Sequence, residues 1–129
     1  MGNPKTKMIC VLRNDLRNSD GNRVPKGKLI AQAGHAFVAL VLKMQKERPE
    51  NTILKEWLDE SFVKVALGVD TEEELIHLYN KAIAAGFNAV IITDNGYTEF
   101  HQPTVTCIGI GPDFSEDLDT ITGKLKGFR

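Results

Sequence analysis

The stretch FVKVALGVDTEEELIHLYNKAIAAGFNAVIIT, residues 62–93, holds three elements in a row and decides the fold class. In its first eight residues, 62–69, Val63, Val65 and Leu67 fall on one face of a strand, the period of two that a pleated sheet imposes. Thr71 and Glu74 then stand in the T-x-x-E spacing of a capping box, in which a hydroxyl at the helix start accepts the backbone N–H three residues on. Leu75, Ile76, Leu78, Tyr79, Ala82 and Ile83 continue at helical spacing as far as Gly86, a residue type that ends helices by adopting left-handed backbone angles. Residues 89–93, AVIIT, return to a short apolar run that reads as a strand. Strand, helix and strand in succession predict a mostly parallel or mixed sheet covered by helices.

Outward from this unit the pattern repeats. Residues 8–12, MICVL, form an apolar run between Lys7 and Arg13 and read as a strand buried on both faces. Residues 14–25 contain Asn18-Ser19-Asp20-Gly21-Asn22 and Pro25, a turn-forming composition that predicts a loop. From Lys28 to about Lys46, Leu29, Ala33, Ala36, Phe37, Leu40, Val41 and Met44 make one helical stripe. Ile30, Ala31, Val38 and Leu42 spread apolar character to the other faces, which predicts a largely buried helix. A weaker helix around residues 51–59 carries Trp57. Beyond residue 93, Asp94-Asn95-Gly96 is a turn signal, and residues 105–110 read as a fourth strand ending at Gly111-Pro112. Ser115 is the expected cap of a last helix, with Glu116 and Asp117 favourably placed near its positive end and Leu118, Ile121 and Leu125 as its apolar positions. The expected fold is a single α/β domain over residues 1–129. It has a four-stranded mixed sheet with helices on both faces, in the order β-α-α-β-α-β-β-α.

Composition supports that class. A chain of 129 residues with 42% hydrophobic and 26% charged residues has the make-up of one globular domain rather than a disordered or membrane-spanning chain. No run approaches the ~20 apolar residues of a membrane helix. Residues 1–7 are polar and hold no apolar signal core, so the expected location is cytoplasmic and no membrane partner is expected. Cys10 and Cys107 each fall inside an expected buried strand and read as small hydrophobes. The net charge of −1 hides a segregation: residues 1–35 carry seven Lys/Arg against two acids, +5, and the rest is −6. Such asymmetry suits a surface that attracts an anionic partner, though dispersal of these cations on folding is equally open to the sequence.

Two groups of polar residues invite a chemical reading. Lys28, Gln32 and His35 interrupt the apolar helix at i, i+4 and i+7, within about 60° of one another at ~100° per residue, and should border a cleft. Against this, a first-turn lysine reaching for water and a packed histidine explain two of them individually. Asp94, Thr98, Thr104 and Thr106 are strung along the end of the third strand and the start of the fourth, and strand carboxyl ends are where α/β sheets bind ligands. Asp94 is explained equally well as a turn aspartate bonding its own backbone. Lys26-Gly27-Lys28 opens the helix where anions are favoured. The spacing is not that of a phosphate-binding P-loop, and G-x-S-x-G, H-E-x-x-H and paired C-x-x-C patterns are absent.

Taken in order, Leu12-Arg13-Asn14-Asp15-Leu16 and Lys26-Gly27-Lys28-Leu29-Ile30-Ala31-Gln32-Ala33-Gly34-His35-Ala36 resemble the opening signature of the type 2 peptidyl-tRNA hydrolases, V-R-N-D-L followed by K-G-K-x-A-A-Q-x-x-H-A. The segment Val69-Asp70-Thr71-Glu72-Glu73-Glu74-Leu75, the loop Thr93-Asp94-Asn95-Gly96-Tyr97-Thr98 and the tail Ile108-Gly109-Ile110-Gly111-Pro112 with Ile121-Thr122-Gly123-Lys124-Leu125-Lys126 resemble later blocks of the same family. The resemblance implies hydrolysis of the ester between peptide and tRNA in peptidyl-tRNA, with no metal and no other cofactor, by a homodimer. It also implies that Lys28, Gln32, Asp94, Thr98 and Thr106 line the active site as the catalytic set. Lys26, His35, Arg13 and Thr104 are then expected to bind substrate. Tyr97 stands where the family's loop has Arg or His, and Glu99 where it has Gln. These changes motivate the alternative of a catalytically silent relative that binds tRNA or a protein partner in the same cleft.

Overall fold

The computed structural model describes residues 3–129; Met1 and Gly2, the start of the polar N-terminal segment, lie outside the described residues. The elements are β1 (Thr6–Arg13), α1 (Lys26–Glu47), α2 (Thr52–Glu56) continued by a π turn (Trp57–Ser61), β2 (Lys64–Val69), α3 (Glu72–Ala84), β3 (Ala89–Asp94), β4 (Thr104–Phe114) and α4 (Ser115–Thr122). The four strands form one sheet in the order β2-β1-β4-β3. β1 is parallel to β2, and β4 is antiparallel to both β1 and β3, so β1, β2 and β3 all run the same way. Their carboxyl ends, at Arg13, Val69 and Asp94, therefore lie at one end of the sheet.

The apolar run of β1 is explained by its central place. Met8, Cys10 and Leu12 pack toward α1 and α2, with Leu40, Met44, Trp57 and Ala36. Ile9 and Val11 point the other way, to Leu75, Leu78 and Ala82 of α3 and Leu118 and Ile121 of α4. Cys10 and Cys107 are buried free thiols on neighbouring strands. The hydrogen bond with Cys107, together with burial, pushes the Cys10 thiol far above its ordinary range, so it behaves as the small hydrophobe the sequence suggested. The α3 cap forms as expected: Thr71 Oγ1 accepts the Glu74 N–H at 3.1 Å and donates to the Glu74 carboxylate at 3.3 Å.

Several local expectations are corrected. α1 is not largely buried: Ile30 is 72%, Val38 60% and Leu42 60% exposed, because the sheet covers one side of the helix and nothing among the described residues covers the other. The strand expected from residue 62 begins at Lys64, since the helix before it runs on to Ser61 and Phe62 takes a left-handed φ of +52° to leave it. β4 does not stop at Gly111-Pro112 but passes through to Phe114. A register shift opposite Lys7 and Ile9 absorbs the proline, which has no N–H to place in a ladder, and Gly111 sits at φ +110°. Ser115 does not cap α4. Its hydroxyl donates instead to the Pro4 carbonyl and its N–H to Lys5 O, tying down the chain before β1. Leu125 lies beyond α4, partly buried against the α3–α4 core.

Where α1 crosses β4 the approach is close. A Cβ on Gly109 would meet Leu40 Cδ1 at 2.7 Å and Val90 Cγ2 at 3.2 Å. We expect Gly109→Ala to destabilise the domain by about 1–3 kcal/mol, as overpacking of a filled core does, read as a lower urea midpoint at unchanged slope. No helix among the described residues is long and apolar enough to cross a membrane.

Candidate active site

At the carboxyl end of β3, strand alternation puts Val90, Ile92 and Asp94 on the face that meets α1. The first turns of α1 cross this end of the sheet, and Lys28 and Gln32, four residues apart, point down at it together. Lys28 Nζ lies 2.5 Å from Asp94 Oδ2 and donates to Thr98 Oγ1 at 2.9 Å. Gln32 Nε2 donates to the same Asp94 oxygen at 3.4 Å, and Gln32 Oε1 accepts from Thr106 Oγ1 at 2.6 Å. One polar chain thus links Thr98, Lys28, Asp94, Gln32 and Thr106, the five residues that the resemblance groups as a catalytic set.

A β-bulge makes the inner end of this chain possible. Ile92 pairs with Cys107 and Thr93 with Val105, so Thr106 is an extra residue on β4. In a regular strand Thr106 and Cys107 would face opposite sides of the sheet. Here both reach α1, Thr106 through Gln32 Oε1 and Cys107 through its thiol, which donates to Gln32 O at 3.5 Å. Gln32 is only 3% exposed and Thr106 fully buried, so this pair fixes the outer polar groups against a rigid wall.

Asp94 makes the bond expected of a turn aspartate and at the same time faces the first turns of α1. Asp94 Oδ1 accepts the Gly96 N–H at 2.9 Å, which leaves Oδ2 for Lys28 and Gln32. Burial would push this carboxyl up, but the Lys28 hydrogen bond, the Gly96 N–H and the charges of Lys28 and His35 outweigh it and hold it below the usual carboxylate range. Gly96 is required twice over: its φ is +86°, and a Cβ there would meet the Gln102 backbone at 2.7 Å. The loop that carries Thr98 is braced from below by Phe100, which packs with Leu16, Val24 and Leu29. The backbone bond from Ser19 N–H to Glu99 O, 3.0 Å, joins it to the loop before α1. Sequence reasoning missed this brace, although Leu16, Val24 and Phe100 are conspicuous as apolar residues in otherwise polar loops.

The remaining expected site residues are placed unevenly. His35 lines a cleft of about 400 Å³ with Gln32, Ala39 and Asp94. Thr104 lies beside Asp94 in the ladder but donates to Gln102 O at 2.9 Å and, with Arg13, lines a separate cleft of about 240 Å³. Arg13 is held there by a two-pronged pair with Asp15, 2.8 and 3.0 Å, and a bond to Val105 O. Lys26 falls on the far side of α1, at the rim of an apolar groove with Arg23 and Arg129. Tyr97 is 90% exposed at the mouth of the site. The basic N-terminal segment divides: Arg13, Arg17, Arg23, Lys26 and Lys28 gather around this end of the sheet, whereas Lys5 and Lys7 pair with Glu56 and Asp119 at the other. The site offers a held carboxylate, an ammonium and the Thr98 hydroxyl around one solvent-reached point, groups able to orient a water and to stabilise a developing oxyanion.

Comparison with known proteins gives one consistent result. A family model described as "Peptidyl-tRNA hydrolase PTH2" matches residues 6–128. The peptidyl-tRNA hydrolase of Methanocaldococcus jannaschii is 42% identical over 120 residues, covering 93% of this chain and 97% of that protein. Those of Thermoplasma volcanium, 39% identical over 93% of this chain and 96% of that protein, and Sulfolobus acidocaldarius, 40% identical over 93% and 98%, are similarly alike.

Proposed function

The chain belongs to the peptidyl-tRNA hydrolase PTH2 family, and from that membership we infer that it hydrolyses the ester joining peptide to tRNA in peptidyl-tRNA, in the cytoplasm, with Asp94 and Lys28 at the centre of the reaction. The observation that carries the assignment of residues is the 2.5 Å contact between a strand-end carboxylate and an amine from the first turn of a distant helix, bordered by Gln32, Thr98 and Thr106. In this reading a water hydrogen-bonded to Asp94 attacks the ester carbonyl. A carboxylate held below its usual range is a weak base toward free water, so its part is to orient the water and take its proton only as the new C–O bond forms. Lys28 and Thr98 donate to the oxyanion of the tetrahedral intermediate. The intermediate collapses by breaking the bond to the ribose oxygen, which leaves with the proton that Asp94 received, yielding free peptide and tRNA. Gln32, anchored by Thr106, keeps Asp94 aimed.

The test is release of peptide from peptidyl-tRNA by the purified chain. No release under conditions where the Methanocaldococcus jannaschii hydrolase turns over would overturn the reading. Arg17, Arg23 and Lys26 at the rims of the neighbouring clefts suit the phosphates of the tRNA acceptor end, and KM should rise with salt as such contacts are screened. Gly96→Ala should lower kcat by about 10²-fold, because strain and the Gln102 clash displace Asp94 and Thr98 together; small displacements of reacting groups have effects of that order. A kcat within a few-fold of the parent would show that the loop position is not critical.

A homodimer is part of the same proposal. The uncovered face of α1 presents Ile30, Gly34, Val38 and Leu42 at four-residue spacing, an apolar ridge with a bare glycine that admits a second helix closely. Val38→Lys should convert the parent dimer to a monomer in sedimentation; a monomeric parent at tens of micromolar would dispose of it.

A further inference from the structure

The sheet has two edges, and the chain treats them differently. The outer side of β2 is covered by the chain's own tail: Gly68 N–H donates to Lys126 O and Phe128 N–H to Ala66 O, both at 3.0 Å, with Leu67 and Gly127 bridging antiparallel. The outer side of β3 is open. β3 is last in the sheet order, and among the described residues no backbone pairs with it except that of β4. Its sequence, AVIITD, contains no proline and no lysine, the devices that normally protect a free edge from pairing, and Ile91 is 37% exposed along it. Alternate residues of such an edge turn their N–H and C=O groups outward, unpartnered by protein.

This edge is continuous with the site already described. The last residue of β3 is Asp94, and the cleft lined by Gln32, His35 and Ala39 of α1 and by Ile91, Ile92 and Thr93 runs in the angle between α1 and β3. We propose that the open edge of β3 binds the peptide part of the substrate as an added, parallel fifth strand, which delivers the C-terminal ester of that peptide to Asp94. The inference rests on the assignment of Asp94 and Lys28 as the reacting centre. Direction follows from chemistry. The scissile ester is at the carboxyl end of the peptide, and only a peptide running the same way as β3 has that end at Asp94. An antiparallel peptide would leave its ester near Ala89, about 17 Å away at ~3.3 Å per residue. Recognition through main-chain groups is also independent of peptide sequence, since backbone N–H and C=O are common to all peptides. Side chains of the added strand alternate between the open cleft under α1 and the solvent beside Ile91, neither of which is an enclosed, selective pocket.

The experiment compares N-acetylaminoacyl-tRNA, which has no strand to add, with a peptidyl-tRNA of about five residues, enough to span β3, and with the same substrate N-methylated at one backbone position at a time. The expected result is a kcat/KM at least about tenfold higher for the longer substrate, the effect of two or so net backbone hydrogen bonds. N-methylation at every second residue cancels the gain, and methylation at the residues between leaves it. Equal turnover of the one-residue and five-residue substrates, or a loss on methylation that does not alternate, would overturn the proposal while leaving the hydrolase assignment standing. A second measurement does not need turnover: amide exchange of the protein with and without a pentapeptide amide-linked to 3′-amino-3′-deoxyadenosine. Slowed exchange at alternate β3 amides supports the added strand, and unchanged exchange along β3 rules it out even if no substrate is cleaved.

Discussion

Asp94→Asn is expected to lower kcat for peptidyl-tRNA hydrolysis by about 10³-fold, within the range that a positioned proton acceptor contributes, with KM changed little. The substitution conserves shape. The asparagine oxygen can still accept the Gly96 N–H, so the turn survives and the melting temperature should shift only slightly. What is lost is the negative charge that orients a water and receives its proton. Lys28 loses its anionic partner but keeps its bond to Thr98, and at 19% exposure its ammonium is within reach of water. Single-turnover assays at saturating substrate beside a thermal melt make the measurement. A drop of less than tenfold in a folded variant would mean that Asp94 does not act on the water.

Lys28→Ala should also be severe, about 10²–10³-fold in kcat, because it removes the charged donor to the oxyanion, and it should leave a second mark that a merely structural residue would not. In the parent, burial acts to raise the Asp94 carboxyl, and the Lys28 hydrogen bond and charge, with Gly96 and His35, pull it below the ordinary value. The sign follows directly. With a depressed folded value Asp94 stays ionised through the ordinary carboxylate range, so the parent's kcat/KM loses activity on its acid side only below that range. Its stabilising pairing with Lys28 is likewise present above the unfolded carboxylate value and lost as pH falls through the folded one. Without Lys28 its hydrogen bond and charge no longer oppose the effect of burial, the carboxyl moves upward, and the acid limb of the residual activity shifts to higher pH. Lys28→Arg should restore the acid limb better than the rate, since it returns the charge but not the geometry. An acid limb that stays in place in Lys28→Ala would separate Lys28 from Asp94 and break the proposed arrangement.

How legible each part was depended on the range of the forces involved. Strand and helix order came through because it is written in local periods: Val63, Val65 and Leu67 at two, Leu75, Leu78 and Ala82 at three to four, and Thr71 with Glu74 as a cap. The burial of β1 on both faces was legible in five consecutive apolar residues. Errors gathered where one segment's fate is set by another. Ser115 has the chemistry of a cap but is taken by the Pro4 carbonyl, and β4 continues through Pro112 because a bulge against β1 accommodates it. The helical face of Lys28, Gln32 and His35 was readable from spacing alone. Its partner was not, because by its own residues Asp94 is a turn aspartate, and only the family's motif order pointed further.

An α/β domain of four strands with covering helices, and the polar line on α1, were readable from the residues alone, since these follow from interactions within a few residues of each other. That Lys28 meets Thr98 seventy residues later, and Gln32 meets Thr106 seventy-four later, emerged from the packing of α1 on the sheet. Strand pairing, in the same way, put an extra residue on β4 that turns Thr106 inward and left one edge of the sheet open beside Asp94. Those outcomes depend on how separate elements register and stack once the shared core forms, and no window of consecutive residues contains that information.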